Sequence, residues 1–537
     1  MNGMGEIDQE GQQFETVLEV LDHAAERDGD RATLNCAGRD ISSAQIQADS
    51  YRIAAALTGW GIEAGDRVAL MMGNVPEFLI AWFGILRAGV VEVPVHSAYR
   101  GLLLEHILRE SGARVLICDA EFVDRIEGLE TPALERIVVR GESTAAAPAG
   151  IALTTLEEAL ATEPLSQSRE ILPDDVSCIL YTSGTTGPSK GAVLSHRANL
   201  QLAKANVELM EYTADDILYT AFPLFHVNAK FTSVVSSLIS GARLVLDERL
   251  SASRFWEIMR ENGITSFNYM GTMLSMLAKQ PVKDGDSGHG VIKAYGGGCD
   301  GALWVEFEER FGVRLHEHYG MTEIGIATWN TRTVRRPGSC GREVPYFEVR
   351  VADQLDIEVP VGEVGELQVR SREAGTILRE YWARPDETIN SMRNLWFHTG
   401  DRAWKDEDGF FFYVDRLKDS IRRRGENVSA WEIESVLDAL PGIVECAAYG
   451  VPSDLGEDEV MVALVLEPGT ELDLEAVIAR CSERLAYFAV PRYVRVCDQL
   501  PKTPSQRVQK FRLREDGVTA DTIDRGERAT ARPPSAD

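Results

Sequence analysis

Short apolar runs rich in β-branched residues alternate with segments of helical period as far as about residue 345 of this 537-residue chain. An alternation of that kind builds α/β architecture. "DRVALMM" (66–72) reads as a strand leading into a helix over 75–88, and "ARVLICD" (113–119) and "ERIVVRG" (135–141) read as short buried strands. "VSCILYTSG" (176–184) is a strand that empties into a loop of glycines and hydroxyls, and "GARLVLDE" (241–248) and "ITSFNYM" (264–270) flank a further helical segment. From about 345, "YFEVRVAD" and "VGELQVRS" alternate strand-wise between Gly and Pro turns and predict a small β subdomain. After Asp415 a basic cluster, "RLKDSIRRRGENVS", interrupts an acidic chain, and a compact α+β segment follows. A chain of this length exceeds one core. The predicted organisation is a large N-terminal domain over 1–415 of packed α/β sheets with the β subdomain, a small C-terminal α+β domain over 416–515, and a disordered tail over 516–537.

The formal net charge of −29 argues against a nucleic-acid binder, whose affinity rests on Lys and Arg neutralising phosphates. Cysteines at 36, 118, 178, 299, 340, 446, 481 and 497 form no C-x-x-C pair. That spacing excludes a usual zinc framework and suits free thiols in a reducing cytosol, so a cytoplasmic location is expected. The polar start "MNGMGEIDQEGQQ" does not read as a signal peptide. The most apolar long window, "VPEFLIAWFGILRAGVVEVPV" (75–95), is interrupted by Glu77, Arg87 and Glu92. It reads as a buried amphipathic helix running into a strand, and not as a membrane span.

"YTSGTTGPSKG" (181–191) carries the chemistry. A strand ending in Gly, Ser and Thr offers backbone N–H groups and hydroxyls to a phosphate, and Lys190 adds a mobile positive charge. A Walker A loop does not fit, because Pro188 and Ser189 separate Gly187 from Lys190 and a glycine follows the lysine. A solvated Ser/Thr turn is the bland reading of the loop taken alone.

Five further stretches follow in order: "PLFHVNAK" (223–230), "HYGMTEIG" (318–325), "WFHTGD" (396–401), "DRLKDSIRRRGENVSAWEIE" (415–434) and "LPKTPSQRVQK" (500–510). With these the chain resembles the adenylate-forming superfamily of acyl-CoA ligases, luciferases and adenylation domains over nearly its whole length. In detail it is similar to the crotonobetaine/carnitine-CoA ligase branch. The resemblance implies ATP-dependent activation of a carboxylic acid as acyl-adenylate with release of pyrophosphate, then transfer to the thiol of CoA, with Mg²⁺ as cofactor. The expected partners are therefore a small-molecule carboxylic acid, ATP and CoA, with no nucleic acid and no membrane span. The sequence does not set the oligomeric state, and a homodimer is one admissible assembly.

The resemblance also assigns roles. Thr182, Ser183, Gly184, Thr185, Thr186 and Lys190 would cradle the β- and γ-phosphates. Thr322 would touch the α-phosphate, and Glu323 would hold Mg²⁺, a hard cation that takes oxygen ligands. Tyr319 would stack on adenine beside Gly297 and Gly298, with Glu317 and His318 in the same site. Asp401 would accept both ribose hydroxyls and Arg416 would reach the ribose or phosphate. His226 would gate the passage between acid and CoA, although a lone His in an apolar stretch is more often packed. Asn228, Lys230, His318, Ile326 and Ala327 would line the acid pocket. Lys230 there implies either a polar or anionic group on the acid or a side chain turned to solvent. Lys418 would be the hinge of a mobile C-terminal domain, and Gly425 would let backbone pass close to the pantetheine of CoA. Arg422 and Arg423 read as a solvated basic face.

One motif departs from the family pattern. Gln506 and Arg507 stand where Gly-Lys is expected, and that lysine bridges the carboxylate and the α-phosphate. Three outcomes are open: Arg507 does the work with a shifted loop, Lys510 substitutes for it, or adenylation is slow because the natural acid differs from a simple carboxylate. Other readings are a different acceptor than CoA, a small oxyanion substrate such as nitrite in specialised metabolism, or a catalytically impaired nucleotide-binding relative.

Overall fold

The computed structural model describes residues 14–526 apart from 144, 147, 183–187, 284, 417–419, 455, 468, 471 and 503–507. They form two compact units. The first holds the described residues of Met1–Ser97, Leu108–Tyr181 and Gly191–Asp415; the second holds those of Ala98–Ile107, Thr182–Lys190 and Arg416–Asp537. Two short segments placed by the sequence in the N-terminal domain thus cluster with the chain after Asp415.

In the first unit an eight-stranded sheet carries Arg67–Met71, Val91–Pro94, Val115–Asp119 and Arg136–Arg140 as parallel neighbours, with Val176–Thr182 beside Val91–Pro94. The helix Pro76–Arg87 covers the core of this sheet. Its proline sits in the first turn, where no N–H is missed. Every residue except Glu77 is buried, so the helix is enclosed all round and is not the amphipathic element its sequence suggests. The three charges that interrupt the apolar window each find a partner. Glu77 accepts from Arg39 at 2.7 Å, Arg87 donates to Asp22 at 2.6 Å, and Glu92 accepts from Lys230 at 2.5 Å. Among the described residues no helix is long and apolar enough to cross a membrane.

A nine-stranded sheet sets Ser266–Met270, Lys293–Gly297 and Arg314–Met321 side by side in parallel, with Asn268, Tyr295 and His316 in register. Ligands of such sheets bind beyond the carboxyl ends of the strands, and Gly297 and His318–Met321 lie there. Phe347–Ala352, Gly365–Ser371, Phe397–Lys405 and Phe411–Arg416 make the separate four-stranded β subdomain.

The second unit has a hairpin of Ser420–Arg423 and Glu426–Ser429, and a sheet of Ile443–Pro452, Asp458–Leu466, Tyr493–Val496 and Ile523–Asp524. Arg424 and Gly425 link the hairpin with φ of 53° and 84°. Two consecutive positive φ values are what a two-residue turn of type I′ demands, and glycine meets the demand at least cost. Gly425 is therefore accounted for by the turn. Arg423 is not on a solvated face: it is fully buried, 2.7 Å from Glu459, and donates to the carbonyl of Phe488. Arg422 is half-exposed. The tail expected from 516 contains structure as far as 526, because Ile523–Asp524 pairs with Tyr493–Val494.

Candidate active site

Val176–Thr182 and Lys190–Ser195 flank the predicted phosphate loop, whose Ser183, Gly184, Thr185 and Thr186 lie outside the described residues. Thr182 Oγ1 donates to the carbonyl of Lys190 at 3.5 Å. The glycine after the lysine has a steric cause: a Cβ on Gly191 would lie 2.5 Å from Ile179 Cγ2.

Strand Arg314–Met321 and strand Gly325–Trp329 pair antiparallel, and Thr322, Glu323 and Ile324 form the turn between them. Glu323 is buried and accepts from the hydroxyl of Tyr381 at 2.9 Å. Tyr319, on the first strand, donates its hydroxyl to Asp401 Oδ2 at 2.6 Å. Two motifs 82 residues apart, one predicted for adenine and one for ribose, therefore meet in one place. Asp401 is buried, with its N–H bonded to Thr399 Oγ1 at 3.1 Å. Glu317 accepts from the backbone N–H of Cys299 at 2.6 Å, so this carboxylate anchors the Gly297–Gly298 segment.

The predicted acid pocket is only partly borne on open side chains. Asn228 is half-buried, and its Oδ1 accepts from Asn268. His318 stacks on Tyr295 with ring centroids 4.7 Å apart, and burial pushes its pKa down to about 4, so the ring is neutral at pH 7. Ile326 and Ala327 are buried in the main apolar cluster. His226 is exposed at the start of the short helix Val227–Ala229 and is not a packed histidine.

Lys230 takes neither of the roles weighed for it. Its side chain is 1% exposed and Glu92 is fully enclosed; Nζ lies 2.5 Å from both carboxylate oxygens and 4.8 Å from the Trp82 ring centroid. Its charge is committed inside the unit and does not await an anionic substrate. Lys230→Met leaves a buried carboxylate without its cation, and a broken buried pair costs about 3–5 kcal/mol. Urea unfolding of the variant is expected to show that loss, with most of it recovered when Glu92→Leu is added. An unchanged midpoint for the single variant would contradict the assignment.

In the second unit Lys510 Nζ lies 2.7 Å from Glu434 Oε1, which also accepts from the N–H of Ala448. Lys418 and Arg507 fall outside the described residues, as does the side chain of Arg416. Among the described residues one group of three could ligate a metal: Asp356, Glu366 and His398 in the β subdomain. There the imidazole lies 2.7 Å from Glu366 and 3.5 Å from Asp356, and Arg393 Nη2 is 3.0 Å from His398 Nδ1. The imidazole and the Arg393 guanidinium thus already occupy the space between and beside the two carboxylates.

Sequence reasoning did not single out Tyr381 or Asn268, and treated Glu92 only as an interruption. That carboxylate in an apolar run was the one visible signal; Tyr381 sits in a two-residue strand with no periodicity to read.

A family model described as AMP-binding enzyme matches residues 21–382, and one described as AMP-binding enzyme C-terminal domain matches residues 432–507. This chain belongs to the AMP-binding enzymes. The AMP-binding enzyme is 32% identical over 514 residues to a crotonobetaine/carnitine–CoA ligase of Salmonella paratyphi A, covering 93% of this chain and 99% of that one. Among solved structures it is similar to the anthranilate CoA ligase AuaEII in complex with anthranoyl-AMP, with a TM-score of 0.70 at 26% identity over 93% of this chain and 96% of the other. ATP-bound MatB from Rhodopseudomonas palustris gives a TM-score of 0.67 at 29% identity over 93% and 98%.

Protonation sets a limit on the first unit. Burial pushes His196, His316 and His318 from 6.5 to about 4, and lowers His289 as well. Between those values the unfolded chain binds more protons than the folded one, so stability falls as pH drops from 6.5 toward 4. Asp49 and Glu92, whose carboxyls burial raises, oppose this with fewer groups. Each uncompensated proton is worth about 1.4 kcal/mol per pH unit. Urea midpoints of the first unit's transition, measured from pH 7 to 4.5, are expected to decline, and a flat profile would contradict the burial of these imidazoles as neutral groups.

Proposed function

We propose that this AMP-binding enzyme is an AMP-forming acid–CoA ligase. A carboxylate oxygen of the acid attacks the α-phosphorus of ATP, and the bond to pyrophosphate breaks. The sulfur of CoA then attacks the acyl carbon, the bond to AMP breaks, and the thiol proton passes to solvent. The first step brings one anion onto another, so the residues must neutralise charge and hold geometry.

The observation that carries this reading is the hydrogen bond from Tyr319 to Asp401, which joins the predicted adenine and ribose residues at the carboxyl ends of the parallel strands. Ribose hydroxyls would take over Asp401 from the phenol, and Tyr319 would be left to stack on adenine. Glu323 fits Mg²⁺: it is a buried carboxylate offering the oxygen ligand a hard cation needs, already oriented by Tyr381. Bound there, Mg²⁺ would offset phosphate charge. Lys190 and the hydroxyls that precede it would hold the β- and γ-phosphates. Lys510 is committed to Glu434, which favours Arg507 as the cation between carboxylate and α-phosphate. His318, neutral and stacked, can orient an acid without adding charge. All eight cysteines are free, in keeping with a cytoplasmic enzyme.

A panel of carboxylic acids with ATP and Mg²⁺, assayed with and without CoA, tests the reading. CoA-thioester and AMP are expected in equal amounts with the accepted acid. Acid-dependent AMP formation without CoA consumption would assign another acceptor.

A further inference from the structure

We propose that Tyr381 is a positioning residue for the magnesium carboxylate Glu323, tying it to the strand that leads out of the phosphate loop. The inference rests on the reading of Glu323 as the Mg²⁺ ligand.

Four bonds define the device. Tyr381 donates its hydroxyl to Glu323 Oε1 at 2.9 Å, and the N–H of Leu378 donates to the carbonyl of Glu323 at 2.7 Å. The same segment is sewn to the neighbouring strand: the N–H of Arg379 donates to the carbonyl of Val193 at 2.9 Å, and that of Trp382 to Gly191 at 2.7 Å. Glu380 and Tyr381 pair with Val193 and Ala192 in antiparallel register. Gly191 directly follows Lys190 in the chain. One stretch of five residues therefore grips Glu323 by backbone and side chain while its own backbone is fixed to the strand behind the loop. The N–H of Tyr381 is held as well, by Thr388 Oγ1 at 2.9 Å.

Such a bond matters because a carboxylate that meets a metal through one oxygen can rotate unless the other is held. Partners of this kind typically change metal affinity by about 10–100-fold when removed. Tyr381 and Glu323 are both buried, so the phenol remains the donor beside Glu323 without competition from bulk water. Its aromatic body packs in the main apolar cluster, and Tyr381→Phe keeps that body while removing the donor.

The test is calorimetric binding of a non-hydrolysable ATP analogue, in Mg²⁺ and in EDTA, to the full-length wild type and variants. In the wild type Mg²⁺ strengthens binding. Tyr381→Phe is expected to reduce that gain about tenfold while leaving affinity in EDTA unchanged. Glu323→Gln is expected to abolish the gain, and the double variant to match Glu323→Gln alone. Equal weakening in Mg²⁺ and EDTA, or additive losses in the double variant, would mark Tyr381 as merely structural and overturn the inference. A full gain in Tyr381→Phe with none in Glu323→Gln would overturn it and leave the metal assignment standing. A full gain in both would overturn the metal assignment and the inference together.

Discussion

Glu323→Gln is expected to lower acyl-adenylate formation by about two to three orders of magnitude while the fold survives. Glutamine keeps an oxygen that can accept from Tyr381 and nearly the same volume in a buried turn. What it removes is the negative charge that would bind the metal, and metal stabilisation of phosphate charge is worth several kcal/mol. Melting temperature and circular dichroism close to wild type, with single-turnover adenylation slowed that far, is the expected pair of results. Adenylation at near wild-type rate would remove Glu323 from the metal site.

Arg507→Ala is expected to cut adenylation as severely and to spare thioester formation from supplied acyl-adenylate. Lys510→Ala is expected to leave adenylation within a few-fold of wild type. The difference follows from the ion pair that holds Lys510 and from the chemistry of arginine. Lys510 lies 2.7 Å from Glu434, a carboxylate also fixed by the N–H of Ala448, and pulling it away would strand that charge. Arginine can replace lysine between a carboxylate and a phosphate because its planar fork meets two oxygens at once. The supplied-adenylate reaction separates a missing charge from a damaged domain. If Lys510→Ala abolishes adenylation and Arg507→Ala does not, the roles are reversed.

The alternation of strand and helix patterns was enough to read the α/β class and the β subdomain, because a buried strand of β-branched residues has few other uses. The helix at 76–87 shows the limit. Charges at both ends of an apolar run suggested an amphipathic surface, but Arg39 and Asp22, remote in sequence, supply the compensation that lets the whole helix be enclosed. Lys230 failed in the same way. Its partner Glu92 lies 138 residues earlier, and no local pattern says which of two buried charges will meet. Arg423 looked solvated in a run of arginines because Glu459 and the carbonyl of Phe488 are invisible from its neighbours. Gly425 was read as backbone passing close to the pantetheine of CoA; the positive φ it adopts in a two-residue turn is a separate reason for glycine there. In the candidate site, Tyr319, Glu323 and Asp401 were singled out through short motifs, and the structure brings Tyr319 and Asp401 together. Tyr381 was not, since a two-residue strand gives no period and a phenol no motif.

Isotope exchange between labelled pyrophosphate and ATP measures acyl-adenylate formation at this site, apart from the step that uses CoA. Exchange is expected to need both the carboxylic acid and Mg²⁺, to proceed without CoA, and to be lost in Glu323→Gln. Acid-dependent thioester formation by the wild type with no exchange under any of these conditions would contradict acyl-adenylate formation here.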